Sequence, residues 1–451
     1  MKSRRADLLA VGAYVLLGLV VGAHYWADLQ HRISSHLPTD NTWFEWLLAH
    51  GAYSVRHLSD PLFSDRQNAP DGVNMMANTS ALGITIPLAP VTLAFGAPVA
   101  YAVWLTGALA ATAATSYWAL SRHLVRSRGA AFVGGAFLGF APGVVHHANG
   151  QPNFLSNFLL PLIVVAALRL GVGGPLRSGL VLGLLVAYQV FVNEEMLLLT
   201  ALACAVVVLA YAAQRRAEAR ARTPAFLNGL GVAAAVALVV TAYPIWYQFS
   251  GPQSYRGLLG GAFHRWGEDP AAYVTFARDT LAGRAAVEAT IGRTEQNTWF
   301  GWPLVALALT IVVVLWRRSL VVRVAAVVAG VFGGLSLGPR IRFRGELTGL
   351  AGPWAPVPER LPLVEMVMPS RFSFAVVGAV GVLLAVAWDE LSRAQAASVG
   401  RKPATARVPA LRYAGYAAVV AALVPLVPTP VPARVSRANV TYAAGSSPQR
   451  W

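Results

Sequence analysis

Apolar runs of roughly 20 residues recur along the whole of this chain, the length a helix needs to cross a hydrocarbon core. They fall at Leu8–Tyr25, Ala97–Leu120, Gly129–His147, Asn153–Leu170, Ser178–Val192, Met196–Ala213, Phe226–Tyr247, Phe300–Trp316, Leu320–Leu337, Phe372–Trp388 and Leu411–Val427. Lipid offers no water to unpaired backbone N–H and C=O groups, so each run is predicted as a helix. Of the 451 residues, 56% are hydrophobic and 12% charged. A water-soluble chain of this composition would expose large apolar patches. The expected fold class is therefore all-α, a polytopic transmembrane bundle of about eleven spans.

The formal charge of +16 does not point to nucleic acid, because the basic residues sit in short clusters between apolar runs. If the spans alternate, the clusters Lys2–Arg5, Arg122–Arg128, Arg169–Arg177, Arg215–Arg222, Arg317–Arg323 and Arg393–Arg412 share one side, which should be cytoplasmic. The first span lacks a small-residue cleavage site and reads as a retained helix. The stretch Ala81–Phe95 is short, holds Pro87 and Pro90, and would put Arg122–Arg128 outside if it crossed; it is expected to be re-entrant or interfacial. Three long segments, 26–80, 248–299 and 338–371, then lie outside, with residues 429–451 as an extracytoplasmic tail. The single Cys204 excludes an intramolecular disulfide and any multi-cysteine metal site. No Walker A loop or dinucleotide-binding glycine motif is present, which leaves nucleotide and redox chemistry without support.

In the first outer segment, Asp40 stands at the start of an aromatic amphipathic pattern: Trp43, Trp46, Leu47 and His50 recur at i, i+3, i+4 and i+7. Asp40 reads either as an N-terminal helix cap or as a general base near the lipid headgroups. Two further polar clusters interrupt apolar runs. His146, His147, Asn149 and Gln151 lie in a knot closed by Gly150 and Pro152, suited either to sugar or phosphate hydrogen bonding or simply to a turn. Adjacent histidines point in different directions on a helix and make a poor metal pair. Glu194 and Glu195 follow Asn193 at a span boundary, where carboxylates face a cavity, pair with an arginine or remain as an exposed loop. Arg371, at the start of an apolar helix, is the best candidate to hold a phosphate by bidentate hydrogen bonds. Arg256, Arg265, Arg278, Arg284, Arg293, Arg340, Arg342 and Arg344 read as headgroup contacts or solvated surface. Asp40 and Arg371 are both expected at helix ends, outside the packed apolar core.

A basic N-terminus, one span, a long outer loop with an early acidic residue and amphipathic helices, then many spans, resembles the GT-C fold of lipid-phosphate-sugar-dependent glycosyltransferases. That superfamily includes protein O-mannosyltransferases, oligosaccharyltransferase catalytic subunits and mycobacterial arabinofuranosyltransferases. The stretches Asp60-Pro61-Leu62-Phe63, Ala69-Pro70-Asp71-Gly72-Val73-Asn74, Gly150-Gln151-Pro152-Asn153, Leu361-Pro362 and Pro369-Ser370-Arg371-Phe372 resemble uncharacterised actinobacterial-type members. The resemblance implies a GT-C-like domain over residues 1–428 and makes Asp40 the catalytic position. It further implies a polyprenyl-phosphate-linked sugar donor and a cell-envelope glycan, lipid or protein acceptor, within the cell membrane. Relatives often carry paired acidic residues there, whereas Asp40 is flanked by Thr39 and Asn41, which favours a single base and no metal or other cofactor. The alternatives are a transporter or flippase for a lipid-linked substrate, and a non-catalytic envelope-assembly protein. No inverted repeat supports the transporter.

Overall fold

The computed structural model describes residues 2–170, 172, 174–256, 266–288, 291, 295–357, 368–396 and 407–435. Arg265, Arg293, Leu361-Pro362 and the tail beyond 435 lie outside the described residues.

Helices coincide with the predicted spans, and local chemistry sets several of their starts. The hydroxyl of Ser127 accepts from the Ala130 N–H at the head of Arg128–Phe140, Asn193 caps Glu194–Gln214 through Met196, and Ser319 caps Leu320–Ser336 through Val322. Among the described residues, five helical segments are long and apolar enough to cross a membrane: Ala97–His123, Arg128–Asn149, Glu194–Gln214, Arg216–Ser250 and Pro369–Ala394. Leu160–Arg169, Pro175–Val190, Gly301–Leu315, Leu320–Ser336 and Arg412–Leu426 are apolar but shorter. Two expectations are modified. The predicted span Asn153–Leu170 is α-helical only over Leu160–Arg169, because Pro152 and Pro161 and the polar run between them break the ladder. Among the described residues, the loops also hold three antiparallel strand pairs that the apolar pattern did not signal, Arg32–Ser34 with Ala433–Val435, Phe63–Ser64 with Val73–Asn74, and Arg340–Phe343 with Glu346–Ala351.

Burial separates two kinds of apolar helix. The apolar windows of Ala97–His123, Arg128–Asn149 and Pro369–Ala394 are 61%, 72% and 72% buried, whereas those of Glu194–Gln214 and Arg216–Ser250 are 17% buried. The first three are the packed centre; the other two present continuous apolar surface to their surroundings, as lipid-facing helices do. This is a helical membrane protein. Small residues bring the central helices together: a Cβ on Gly139 would come within 2.6 Å of Ala113.

Ala81–Phe95 is split into Leu82–Thr85 and Ala89–Phe95, pieces of four and seven residues. Neither piece can cross a bilayer.

Charges gather at the two ends of the bundle. At one end Asp7 pairs with Arg122 and Arg128 and accepts from the Tyr117 hydroxyl, while Asp389 accepts from the Arg126 and Ser127 N–H groups and pairs with Arg393. From Arg128 the chain runs up through Phe140, turns at Ala141-Pro142, and delivers His146 and His147 to the opposite end.

Candidate functional site

That opposite end collects segments far apart in sequence. The helix Pro38–His57 starts with Pro38 at its first turn, and Asp40 lies in that turn, half-buried. Gly150, at φ 141°, lets the next turn press against it: a Cβ there would meet Leu37 at 2.7 Å. This close approach brings Gln151 to Asp40, whose Oδ2 accepts from Gln151 Nε2 at 3.0 Å. Gln151 Oε1 in turn lies 2.7 Å from His147 Nδ1, and His147 Nε2 lies 2.5 Å from Asn297 Oδ1. A neutral imidazole donates from one nitrogen only, so these contacts tie the protonation of His147 to the orientation of two amides. Asn149 donates to Asp279 at 2.7 Å and to the His146 carbonyl at 3.0 Å. The buried His146 ring has Nδ1 3.9 Å from Asp279 Oδ2 and, among the described residues, no hydrogen-bond partner for that nitrogen.

A second cluster adjoins the first. Arg371, buried, pairs with Glu195 and with Glu295, whose Oε2 is 3.3 Å from its Nε. Its guanidinium lies 4.5 Å from the Phe154 ring centre, and Phe154 packs on His147 at 4.8 Å. The expectation that Arg371 sits outside the packed core is therefore corrected: two carboxylates and an aromatic face enclose it. Glu194 is not part of this cluster. It is exposed, and accepts from Gln248 at 3.0 Å.

Sequence reasoning missed Asp279, Glu295, Asn297 and Glu268. Glu268 is buried and accepts from the Asn297 and Thr298 N–H groups and from the Thr298 and Ser373 hydroxyls. It braces the loop 295–299 beneath His147. The only available signal was that these residues are polar groups in a long loop, which does not say which of them turn inward. Among the described residues, no three His, Cys, Asp or Glu side chains assemble as a metal site.

Burial pushes the carboxyl of Glu268 up to about 8, and that of Glu45, hydrogen-bonded to Asn41, up to about 7. Glu268 thus holds its proton more tightly in the folded than in the unfolded chain. Its contribution favours the fold at low pH and is lost as pH rises from about 4.5 through about 8. Thermal midpoints of the protein in detergent should fall over that window, and Glu268→Gln should flatten the decline. An unchanged slope in the variant would assign the pH dependence elsewhere.

No protein-family model matches this sequence, and no curated protein matches it. Solved structures do. The archaeal oligosaccharyltransferase AglB from Archaeoglobus fulgidus, in complex with an inhibitory peptide and a dolichol-phosphate, aligns with a TM-score of 0.55 at 12% identity, over 98% of this chain and 58% of that one. The apo form of the Archaeoglobus fulgidus oligosaccharyltransferase aligns with a TM-score of 0.54, also at 12% identity, with the same coverage. The fold is GT-C-like, as the sequence resemblance implied. This chain spans about 58% of the length of the archaeal enzyme it resembles.

Proposed function

We propose that this protein is a membrane glycosyltransferase that moves a sugar from a polyprenyl-phosphate-linked donor to a glycan, lipid or protein acceptor of the cell envelope. The observation that carries this reading is Asp40, a half-buried carboxylate at a helix start, oriented by Gln151 and His147 within a GT-C-like fold. Asp40 takes the proton from the acceptor hydroxyl as its oxygen bonds to the sugar's anomeric carbon. The bond from that carbon to the phosphate oxygen breaks, and its electron pair leaves on the polyprenyl phosphate. Arg371 holds that phosphate, which replaces Glu195, the more exposed of its two carboxylate partners. His146, His147, Asn149 and Gln151 supply hydrogen bonds to substrate or orient the base. A single base needs no cofactor. The reading is tested by transfer of labelled sugar from a polyprenyl-phosphate donor in reconstituted membranes; no transfer to any envelope acceptor fraction would overturn it.

In this reading the chain crosses the membrane about eleven times. The Asp40 end is extracytoplasmic, and the end carrying Arg122, Arg128 and Arg393 is cytoplasmic. The segregation of basic residues supports that orientation. In a Cys204→Ala background, an impermeant thiol reagent applied to intact cells should label Asp65→Cys and spare Ala217→Cys, both at exposed positions. The reverse pattern would invert the scheme.

A further inference from the structure

Three residues past Asp40, the helix Pro38–His57 begins a ladder of stacked rings. Trp43 lies on Trp46 with centroids 5.2 Å apart and planes 16° from parallel, and Trp46 lies on His50 at 5.3 Å and 6°. Trp46 is covered on both faces, and His50 is buried with Nε2 3.1 Å from the Pro61 carbonyl. Among the described residues, the face of Trp43 away from Trp46 has no ring against it, and Trp43 is half-buried. Its Nε1 donates to the Thr79 carbonyl at 3.3 Å, which pins the indole edge. Helical side chains lean toward the N-terminus, and positions i and i+3 are neighbours, so this face is turned toward Asp40.

We propose that Trp43 is the floor of an acceptor subsite for a saccharide. The apolar C–H face of the sugar ring lies on the indole, and one of its hydroxyls reaches Asp40. An indole face is electron-rich and attracts the polarised C–H bonds of a sugar ring. A flat apolar platform beside a few polar groups is how small-molecule sites fix orientation. One carboxylate and one amide, from Asp40 and Gln151, suit a neutral polyol better than a peptide side chain. The role of this subsite rests on the glycosyltransferase reading, and it makes the acceptor a saccharide. A membrane-surface anchor is the rival role for such tryptophans.

Saturation-transfer NMR on the protein in nanodiscs, with methyl mannopyranoside, methyl glucopyranoside, methyl arabinofuranoside and a neutral hexapeptide as probes, tests it. At least one glycoside should receive saturation on the C–H protons of one ring face, and the peptide none. Trp43→Leu should weaken that binding about fivefold, the equivalent of the ~1 kcal/mol that an aromatic contact contributes. Trp43→Phe, which keeps a ring in the ladder, should retain part of it. Trp302→Leu, at a tryptophan that is 66% exposed elsewhere on the bundle, should leave binding as in the parent. Silence from all three glycosides, saturation of the peptide instead, or full binding in Trp43→Leu would each overturn the subsite. Transfer of labelled sugar from a polyprenyl-phosphate donor to envelope acceptor fractions, measured on the parent protein, addresses the reaction separately. Transfer without glycoside binding removes the subsite alone; glycoside binding without transfer removes the reaction alone.

Discussion

Asp40→Asn should lower sugar transfer by about 100-fold or more while leaving donor binding nearly intact. The substitution keeps the size of the side chain, and its carbonyl oxygen can still accept from Gln151 Nε2, as Asp40 Oδ2 does at 3.0 Å. What it removes is the capacity to take a proton. Because Asp40 is half-buried in the first turn of a long helix, the exchange should move the thermal midpoint little. Gln151→Ala should give a smaller loss, since it releases the orientation of the carboxylate without removing it. The measurement is turnover of a labelled polyprenyl-phosphate sugar in reconstituted membranes, with donor binding followed separately. Transfer by Asp40→Asn at the parent rate would strip Asp40 of its catalytic role and favour the transporter or assembly-subunit reading.

Arg371→Ala should destabilise the protein by about 3–5 kcal/mol, the range for removing one partner of a buried ion pair. The loss would leave Glu195 and Glu295, whose side chains are 21% and 9% exposed, facing each other without a cation. The guanidinium also covers the Phe154 ring, so its removal opens the aromatic packing that reaches His147. Arg371→Lys keeps the charge but loses the fork that serves two carboxylates at once, and should be intermediate. Combining Arg371→Ala with Glu195→Gln should recover part of the stability, because one of the stranded charges is gone. Thermal midpoints in nanodiscs decide this. A midpoint for Arg371→Ala equal to that of the parent would mean that the pairs contribute nothing to the fold. Donor binding by the variants is then to be compared on folded protein, where Arg371→Lys is the informative one for phosphate recognition.

Much of the helical architecture was legible because, in lipid, a helix satisfies its own backbone and its apolar length is a local property. The runs from Ala97 to Leu120 and from Met196 to Ala213 became helices with nearly the same limits. The pair Pro87 and Pro90 marked the broken stretch for the same local reason. Asp40, His147, Asn149 and Gln151 could be singled out because polar residues stood where the apolar pattern failed; the structure links Asp40, Gln151 and His147 in one chain of hydrogen bonds and ties Asn149 to Asp279 beside it.

Local sequence allowed a carboxylate of Glu194 or Glu195 to pair with an arginine but named no particular partners. The strand Arg32–Ser34 pairs with Ala433–Val435 across most of the chain, and neither segment announces the other. Arg371 read as a cation at an open helix start, yet Glu195 and Glu295 enclose it from two distant segments. Glu268, Asp279 and Glu295 went unnoticed in the sequence, and only the contacts that Asp279 and Asn297 make with the His146–Asn149 turn show these loop carboxylates to face inward. Hydropathy and helix-breaking residues, properties of neighbours along the chain, determined the helices and their ends. Which charges share a buried space depends on how those helices pack, and only the tertiary structure decided that.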